Sequence, residues 1–285
     1  MKQAVQATRR AVAGGLLSLL LPGGRAGAAE PPLRVMTFNV RLPLASDGAN
    51  AWEHRREIAA ATIAAADPDL IGTQELFKRQ GDDLTARLPR YAWIGLDRRG
   101  GRADEHMGLF YRRDRLRPLR FGHFWLSDTP ETPGSISWGH PFPRMATWAV
   151  FETLAGGRRF LAVNTHLPYR AEDEAAREKG AALLLQRIER LADGLPVVLT
   201  GDFNTIPGGK THQLLTETLA DAWVEARERR GPEGTFHAFT GQADRRIDWI
   251  LTRGFRAERA EALARPKGER QVSDHFPVVA RLAWA

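Results

Sequence analysis

Short apolar runs recur along this chain, separated by polar stretches that contain glycine, proline or aspartate. Runs rich in β-branched and aromatic residues predict strands. The predicted strands are Leu33–Val40, Leu70–Thr73, Tyr91–Leu96, Met107–Tyr111, Leu119–Leu126, Met145–Thr153, Phe160–Val163, Val197–Leu199, Ile247–Thr252 and Val278–Ala283. Helices are predicted at Trp52–Ala66, Lys78–Leu88 and Ala171–Ala192, and Pro68 cannot continue the first of them.

The order of these elements predicts the fold class. Several strands follow one another directly, and Ala155-Gly156-Gly157 is typical of a hairpin turn between two of them. Two mixed sheets packed face to face, with helices outside, would bury such a pattern. With 43% hydrophobic residues, the 285-residue chain can form one large core. We therefore expect an α/β protein, a four-layer αββα sandwich in one domain over residues 29–285.

The first 28 residues have the composition of an export signal. Three basic residues precede the apolar run Ala11–Leu21, and Ala26-Gly27-Ala28 has the small residues of a cleavage site. The apolar run is too short to cross a bilayer. Because Arg9-Arg10 resembles the twin-arginine signal, both the twin-arginine and the general secretory route stay open. We expect a periplasmic or secreted protein with no integral membrane association after the signal is removed.

Charge and cysteine content exclude some functions. The formal net charge is +7, and residues 1–28 contribute four positive and no negative side chains, which leaves about +3 for residues 29–285. A charge of this size is a weak indication of nucleic-acid binding. The chain has no cysteine, which excludes thiolate catalysis and cysteine-ligated zinc.

Polar residues lie at one end of five predicted strands. They are Asn39, Glu75, Asn164-Thr165-His166, Asp202-Phe203-Asn204 and Ser273-Asp274-His275. Carboxylates, amides and imidazoles that meet at one rim of a sandwich supply metal ligands and acid–base groups. The sequence therefore predicts a catalytic site at one rim.

Six motifs in order resemble those of the endonuclease/exonuclease/phosphatase superfamily, from about residue 33 to the C-terminus. They are Met36-Thr37-Phe38-Asn39-Val40-Arg41, Gly72-Thr73-Gln74-Glu75, Asn164-Thr165-His166-Leu167, Gly201-Asp202-Phe203-Asn204, Arg246-Ile247-Asp248-Trp249-Ile250 and Ser273-Asp274-His275. The resemblance implies a four-layer αββα sandwich and a metal-dependent phosphohydrolase. Members of the superfamily include nucleases, sphingomyelinases and inositol-phosphate phosphatases.

The resemblance also implies a metal site. Glu75 would anchor a hard cation, Asn39 would supply a neutral oxygen, and Asp274 would touch the metal or assist the leaving group. Oxygen ligands favour Mg²⁺, with Mn²⁺ and Ca²⁺ as alternatives.

Catalytic roles follow from the same resemblance. Asp202 would orient or deprotonate the attacking water, and Asn204 would hold that water or the phosphate. His275 would face a phosphoryl oxygen, with Asp248 bonded to its other ring nitrogen. His166 would be the second catalytic histidine, and Asn164, which begins the same motif, is also predicted to be catalytic.

Each residue also fits an ordinary structural role when considered alone. Asn39 and Asn164 suit strand ends, Asp202 suits a turn, and Asp248 suits an ion pair with a neighbouring arginine. The ordered set of motifs favours the catalytic interpretation. Arg144 and His237 are further predicted phosphate ligands. Arg144 also fits an ordinary surface arginine, and His237 also fits an ordinary loop residue.

Two substrate classes stay open, and non-catalytic binding is a third alternative. A small phosphoester, such as a sugar, inositol or lipid head-group phosphate, predicts a confined pocket near His275 with aromatic walls. An extracellular nuclease acting on DNA or RNA predicts an open groove with arginines on both sides of Glu75. Arg41 and His166 replace the Asp and Tyr that are usual in the abasic-site repair branch. We favour the small phosphoester and a monomer.

One segment carries a narrower resemblance. Phe124–Glu131, with Gly134-Ser135, is similar to a bacterial subgroup of the superfamily and indicates no substrate. Trp125, Trp138 and Trp148 either form walls of a pocket or fill the core.

Overall fold

Two β-sheets packed face to face form the centre of the molecule, and helices cover both outer faces. The computed structural model describes residues 30–266 and 268–285, so the export signal predicted at residues 1–28 lies outside the described residues. Within the described ranges, no helix has both the length and the apolar character of a membrane span. The two sheets and their helices confirm the predicted sandwich.

The elements alternate irregularly, as the sequence indicates. The strands are β1 (Leu33–Asn39), β2 (Leu70–Leu76), β3 (Tyr91–Ile94), β4 (His106–Arg112), β5 (Leu116–Trp125), β6 (Met145–Thr153), β7 (Arg159–His166), β8 (Val197–Asp202), β9 (Ala220–Asp221), β10 (Glu228–Arg230), β11 (Asp248–Arg253), β12 (Phe255–Ala262) and β13 (Val278–Trp284). The helices are α1 (Trp52–Ala66), α2 (Lys78–Arg87), α3 (Glu174–Ala192), α4 (Lys210–Thr216) and α5 (Ala222–Glu225).

Three apolar clusters define the layers. Between the sheets, residues such as Val35, Phe151 and Phe160 form the central core. Ile63 of α1 belongs to a cluster on the outer side of one sheet, and Leu184 of α3 to a cluster on the outer side of the other. Burial of these apolar side chains is the main favourable contribution to folding in a chain without disulfides.

Strand direction places the polar motifs at one rim. The seven-stranded sheet has the order β10-β12-β13-β1-β2-β4-β3, and the six-stranded sheet has the order β5-β6-β7-β8-β11-β9. β1 and β2 are parallel, as are β7 and β8, so each pair ends on the same side. β13 is antiparallel to β1, and β11 is antiparallel to β8, so β13 and β11 begin where their neighbours end.

The described structure contains one long strand that the sequence analysis did not predict. Phe255–Ala262 is rich in alanine, arginine and glutamate, which favour helices in isolation. It forms β12 because Gly254, with φ of +77°, turns the chain back after β11 and because β13 provides a partner. Burial of Phe255, Ala257, Ala260 and Ala262 then overrides local propensity.

Candidate active site

Most of the predicted site residues meet at the rim where β1, β2, β7 and β8 end. His166 on β7 is in register with Asp202 on β8, which is in register with Asp248 on β11. The Asn39 side-chain nitrogen donates to Glu75 Oε1 and to Asp202 Oδ2, both at 3.0 Å, and so links the two sheets. Below, the strand-end cluster means Glu75, His166, Asp202, Asp248 and His275.

His275 is held as a cation. Its Nδ1 donates to Asp248 Oδ2 at 2.9 Å, the contact predicted from the sequence, and its Nε2 lies 3.8 Å from Asp202 Oδ2. Burial would lower the pKa of His275, but the charge and hydrogen bond of Asp248, with the charges of Asp202 and Asp274, raise it to about 10. The ring is therefore an imidazolium at neutral pH.

Asp202 lies at the centre of the cluster. The backbone N–H of Asn204 donates to its Oδ1 at 3.0 Å, and His166 Nε2 lies 3.5 Å from its Oδ2. Burial and the negative charge of Asp248 raise the pKa of Asp202 to about 7, against the opposing effect of His275. A carboxylate that titrates near neutrality can accept a proton from water.

His166 is the neutral histidine of the cluster. The Asn204 side-chain nitrogen donates to His166 Nε2 at 3.0 Å, so this ring nitrogen acts as an acceptor. Burial and the positive charges of Arg144 and His275 lower the pKa of His166 well below its ordinary value. The two histidines thus differ in charge because only His275 has an aspartate bonded to its second nitrogen.

Three of the eight described non-glycine residues with positive φ lie at this rim. Glu75 has φ of +57°, Arg41 +58° and Asn204 +51°, in the left-handed region that non-glycine residues rarely adopt. Such residues cost about 1–3 kcal/mol each and cluster at functional sites. At Glu75 this backbone turns the carboxylate so that Oε1 accepts from Asn39 and Oε2 accepts from the Leu42 N–H at 3.0 Å.

Two predicted metal ligands are placed differently from Glu75. Asn39 directs its amino group to the carboxylates, while its Oδ1 accepts from the Arg41 N–H at 2.9 Å. Asp274 Oδ2 lies 3.5 Å from Arg41 Nη1, at the opposite side of Arg41 from its other partner, Asp47. Asn39 would have to turn its amide to offer an oxygen. Asp274 lines the same pocket as Glu75 but, among the described residues, belongs to neither group of acidic and imidazole side chains close enough to share an ion.

Asn164 is not brought into the site. Its Oδ1 accepts from Gln74 Nε2 at 2.7 Å and from Thr200 Oγ1 at 3.0 Å, and its Nδ2 donates to the Thr73 and Gly108 carbonyls at 2.7 and 3.1 Å. Fully buried and fully paired, it joins the two sheets beneath the rim. We refer to Gln74, Asn164 and Thr200 as the amide cluster.

A pocket of about 520 Å³ opens above the strand-end cluster. Phe142, Tyr169 and Phe236 line it, and Phe142 and Tyr169 stack with 6.5 Å between ring centroids. None of the three tryptophans considered in the sequence analysis lines it; the aromatic walls come from other residues. A larger cavity of about 620 Å³, near the end of α1, contains none of the predicted site residues.

Arg144 reaches this pocket as a buried cation without an anion. It is 4% exposed, it lines the pocket, and no described residue accepts a hydrogen bond from its Nη1. Burial lowers its pKa, while the charges of Glu105, Asp202 and Glu75 oppose that effect. A buried guanidinium in this state favours a bound anion.

His237, the other predicted phosphate ligand, lies behind the pocket wall. Its ring packs on Phe276 with 4.1 Å between centroids, and burial lowers its pKa to about 4. Only its backbone meets the rim, where the His237 N–H donates to the Asp274 carbonyl at 2.9 Å. The loop reaches the site as predicted, but its side chain points into the core.

The donor set suits a divalent cation. Glu75, His166 and Asp202 each offer an atom within 4.8 Å of the others, and so do Asp202, Asp248 and His275. Asp248 already bonds the His275 cation, so the first group, with a partly exposed Glu75 facing the pocket, fits an ion better. Its carboxylate oxygens suit a hard cation.

Comparison with known proteins agrees with this geometry. The family model described as "Endonuclease/Exonuclease/phosphatase family" matches residues 36–275. The chain belongs to this family. Members of the endonuclease/exonuclease/phosphatase family generally use a divalent metal, in line with the acidic and imidazole group found here.

Solved structures of the family superpose over most of the chain. An endonuclease/exonuclease/phosphatase from Bacteroides vulgatus is 32% identical with a TM-score of 0.85, covering 90% of this chain and 100% of that one. The mannosyl-6-phosphatase of Bacteroides thetaiotaomicron is 33% identical with a TM-score of 0.83, covering 88% and 100%. An uncharacterised protein of Acanthamoeba polyphaga mimivirus is 30% identical over 178 residues, which span 59% of this chain and 63% of the viral protein.

The family motifs omit part of the pocket. Arg98 and Glu105 line it from the loop before β4, and neither was identified from the sequence. Their segment, which contains Gly100-Gly101 and several charged residues, has the composition of a surface loop. Only the folded arrangement shows that the two charges face the same pocket.

Proposed function

We propose that this protein hydrolyses a phosphoester at the strand-end cluster with the help of a divalent cation. The position of Asp202 carries the proposal. Its Oδ2 lies 3.5 Å from His166 Nε2 and 3.8 Å from His275 Nε2, and accepts a hydrogen bond from Asn39. A base, an imidazolium and a carboxylate able to hold a cation border one small volume, as in-line attack of water on phosphorus requires.

Asp202 and His275 have complementary roles in this reaction. Asp202 accepts the proton of the attacking water, which Asn204 helps to orient from the pocket side. As the phosphorus–oxygen bond of the ester breaks, the departing alkoxide takes a proton from solvent. The His275 imidazolium stabilises the negative charge on the phosphoryl oxygens, and Asp248 fixes the orientation of its ring. Arg144 contributes a second positive charge and binds a phosphoryl oxygen with its unpaired Nη1.

Glu75 would hold the cation, with Asp202 as its nearest acidic neighbour; His166 Nε2 would become the third donor once Asn204 turns its amino group away. We propose Mg²⁺ because two of these three donors are carboxylates, with Mn²⁺ and Ca²⁺ to be compared directly. When bound, the cation would neutralise the negative charge that develops on the phosphoryl group.

The aromatic residues of the pocket wall support a small phosphoester as the substrate. Its volume of about 520 Å³ suits one small organic phosphate. The similarity to the mannosyl-6-phosphatase of Bacteroides thetaiotaomicron supports the same class. We propose that the protein acts as a monomer, with the whole site formed by one chain.

An activity screen tests the proposal. Purified protein lacking residues 1–28 is assayed with Mg²⁺, Mn²⁺ or Ca²⁺ on p-nitrophenyl phosphate, bis-p-nitrophenyl phosphate, hexose 6-phosphates, DNA and RNA. We expect hydrolysis of a small phosphoester, and its loss with EDTA and in His275→Ala. Degradation of DNA or RNA in preference to every small ester would instead assign the protein to the nucleases.

A second aspartate–histidine pair provides the matched control. His212 Nε2 lies 3.0 Å from Asp221 Oδ2, outside the pocket. His212→Ala should keep the activity that His275→Ala loses. Equal losses in both variants would show that the effect reports folding rather than catalysis.

We also propose that residues 1–28 direct export, on the basis of their basic start, apolar run and small-residue end. Expression of the full chain with a C-terminal tag, followed by fractionation and N-terminal sequencing, tests this. We expect a periplasmic or secreted product that begins near residue 29. A full-length product confined to the cytoplasm would contradict it.

A further inference from the structure

A rigid ion pair lines the pocket near the proposed phosphoryl site. Arg98 Nη1 lies 2.9 Å from Glu105 Oε1, and the two side chains are 10% and 8% exposed. Arg98 Nε is also 3.0 Å from Asp104 Oδ1. Both members of the pair line the pocket that contains Asp202 and His275.

The backbone under this pair is fixed by Asp97. Its carboxylate accepts four backbone hydrogen bonds, from the N–H groups of Arg99, Gly101, Ala103 and Asp104, at 2.6–3.0 Å. These bonds close the loop on itself before β4 begins. Such a loop holds its side chains in place before a ligand arrives, which lowers the entropic cost of binding.

The segment Phe124–Glu131, which resembles a bacterial subgroup of the superfamily, contacts the loop that carries Arg98 and Glu105. Trp125 Nε1 donates to the Arg98 carbonyl at 2.6 Å, and a Cβ on Gly100 would meet Pro133 at 2.5 Å, so the two loops are in close contact. Further along the chain, the Phe142 ring lies 4.7 Å from the Arg98 guanidinium carbon. Trp125 and Phe142 thus hold Arg98 at its backbone and at its side chain.

We propose that Arg98 and Glu105 bind adjacent hydroxyl groups of a sugar or polyol that carries the scissile phosphate. This inference rests on the proposed phosphohydrolase function and names its substrate class. A guanidinium offers donors and a carboxylate offers acceptors, and each hydroxyl of a sugar needs both. Tyr169, 55% exposed at the mouth of the pocket, provides a flat surface for the carbon face of the ring.

A nucleobase in this position would have to stack on Tyr169, because the face of Phe142 is taken by the Arg98 guanidinium. A buried ion pair also contributes little to stability compared with apolar packing. Binding of substrate hydroxyls therefore explains the presence of the Arg98–Glu105 pair better than a contribution to stability does.

Kinetics on three esters test this assignment with isosteric variants. Hexose 6-phosphates, p-nitrophenyl phosphate and nucleoside 5′-monophosphates share the phosphoryl group and differ in the part beyond it. Glu105→Gln should lower kcat/KM for the hexose phosphate that the wild-type protein hydrolyses best. The expected loss is about 10–100-fold, as for the removal of a hydrogen bond to a charged group. Activity on p-nitrophenyl phosphate should change by less than about threefold, because that ester has no hydroxyl for Glu105.

Asp221→Asn is the control for loss of a buried ion pair. Asp221 Oδ2 lies 2.8 Å from Arg246 Nη1, outside the pocket, so this variant should leave the ratio of the two activities unchanged. Equal losses on both esters in Glu105→Gln, or a preference for nucleotides over every sugar phosphate, would overturn the assignment.

A binding assay separates this inference from the proposed function. Calorimetry with the hexose 6-phosphates on His275→Ala should detect binding that His275→Ala/Glu105→Gln weakens at least tenfold. If no ester is hydrolysed but this difference in binding appears, the proposed function fails and the sugar subsite stands. If esters are hydrolysed and Glu105→Gln leaves both the binding of hexose phosphates and their turnover intact, the subsite fails alone.

Discussion

Two polar clusters lie within a few residues of each other on the same strands, and only the strand-end cluster lines the pocket described above. On β7, Asn164 of the amide cluster precedes His166 of the strand-end cluster by two residues; on β8, Thr200 precedes Asp202 by two. All four hydrogen-bonding positions of Asn164 are used, although Gln74 Oε1 beside it has no partner in the described part of the chain. In the strand-end cluster, His166 Nδ1 and Asp248 Oδ1 have no partner among the described residues.

The difference separates structure from function. A buried amide with every bond made stabilises the contact between two sheets. Gly72 belongs to that contact, because a Cβ there would lie 1.9 Å from Thr200 Oγ1. Buried atoms without partners are costly to the folded state and occur in both clusters, so the strand-end cluster is distinguished by its access to a ligand. The strand-end cluster opens on the pocket, where such a ligand fits.

The largest expected effect is on catalysis. Asp202→Asn and His275→Ala should each lower kcat/KM for the best small ester by about 10³–10⁴-fold, since each removes a group that acts in the transition state. Circular dichroism and thermal melting should show a folded protein in both cases. Activity within tenfold of wild type in either variant would remove that residue from the mechanism.

Arg144 should show opposite effects on activity and stability. Arg144→Met removes an unpaired buried charge, so we expect activity to fall about 10²–10³-fold while the free energy of unfolding rises by about 1–3 kcal/mol. Arg55 is the matched control: it is fully buried and donates to the Val40 and Val272 carbonyls at 2.9 and 2.8 Å.

Arg55→Met should therefore lower the free energy of unfolding by about 2–4 kcal/mol, because it leaves those carbonyls without a donor. Urea denaturation of the metal-free proteins measures both changes. A loss of stability in Arg144→Met as large as that in Arg55→Met would show that Arg144 has a partner in the fold.

Asn164 should affect stability more than activity. Asn164→Ala removes four buried hydrogen bonds, to Gln74, to Thr200 and to two backbone carbonyls, so the free energy of unfolding should fall by about 2–3 kcal/mol. At a temperature where the variant stays folded, kcat should remain within about threefold of wild type. A hundredfold lower kcat in fully folded protein would return Asn164 to the catalytic residues.

The smallest expected effect is the pH dependence of stability in EDTA. The pKa of His275, raised to about 10 by Asp248, Asp202 and Asp274, exceeds its ordinary value of 6.5, so the folded state binds this proton more tightly than the unfolded state. Its contribution is complete below pH 6.5 and is lost as the pH rises through 10. The stability difference between wild type and His275→Gln, from urea denaturation, should therefore shrink from pH 6.5 to 10. A difference that is constant or grows would contradict the assigned charge.

Much of this comparison could be predicted from the sequence. The helix predicted at Trp52–Ala66 has those bounds, and the six motifs located the ends of the strands that form the rim. The ends of parallel neighbours meet, so an ordered set of motifs is enough to group Glu75, Asp202 and His275.

The sequence did not show how deep each polar side chain lies in the sandwich, or which distant residues it contacts. Residues 164 and 166 share a face of β7, since side chains alternate along a strand, and the pattern does not say where the opposite sheet ends. His166 therefore lies at the rim and Asn164 inside the sandwich. His237 and the Arg98–Glu105 pair were misjudged or missed because loop side chains are oriented by distant contacts, such as Phe276 and Trp125.

Crystals grown with Mn²⁺ and inorganic phosphate test the central claim, that strand ends from both sheets gather around one cation and one phosphoryl group. We predict an anomalous peak within about 2.5 Å of a Glu75 carboxylate oxygen, with phosphate between that peak, His275 and Arg144. A cation bound away from Glu75, or a pocket that takes up neither ion at millimolar concentration, would contradict the account.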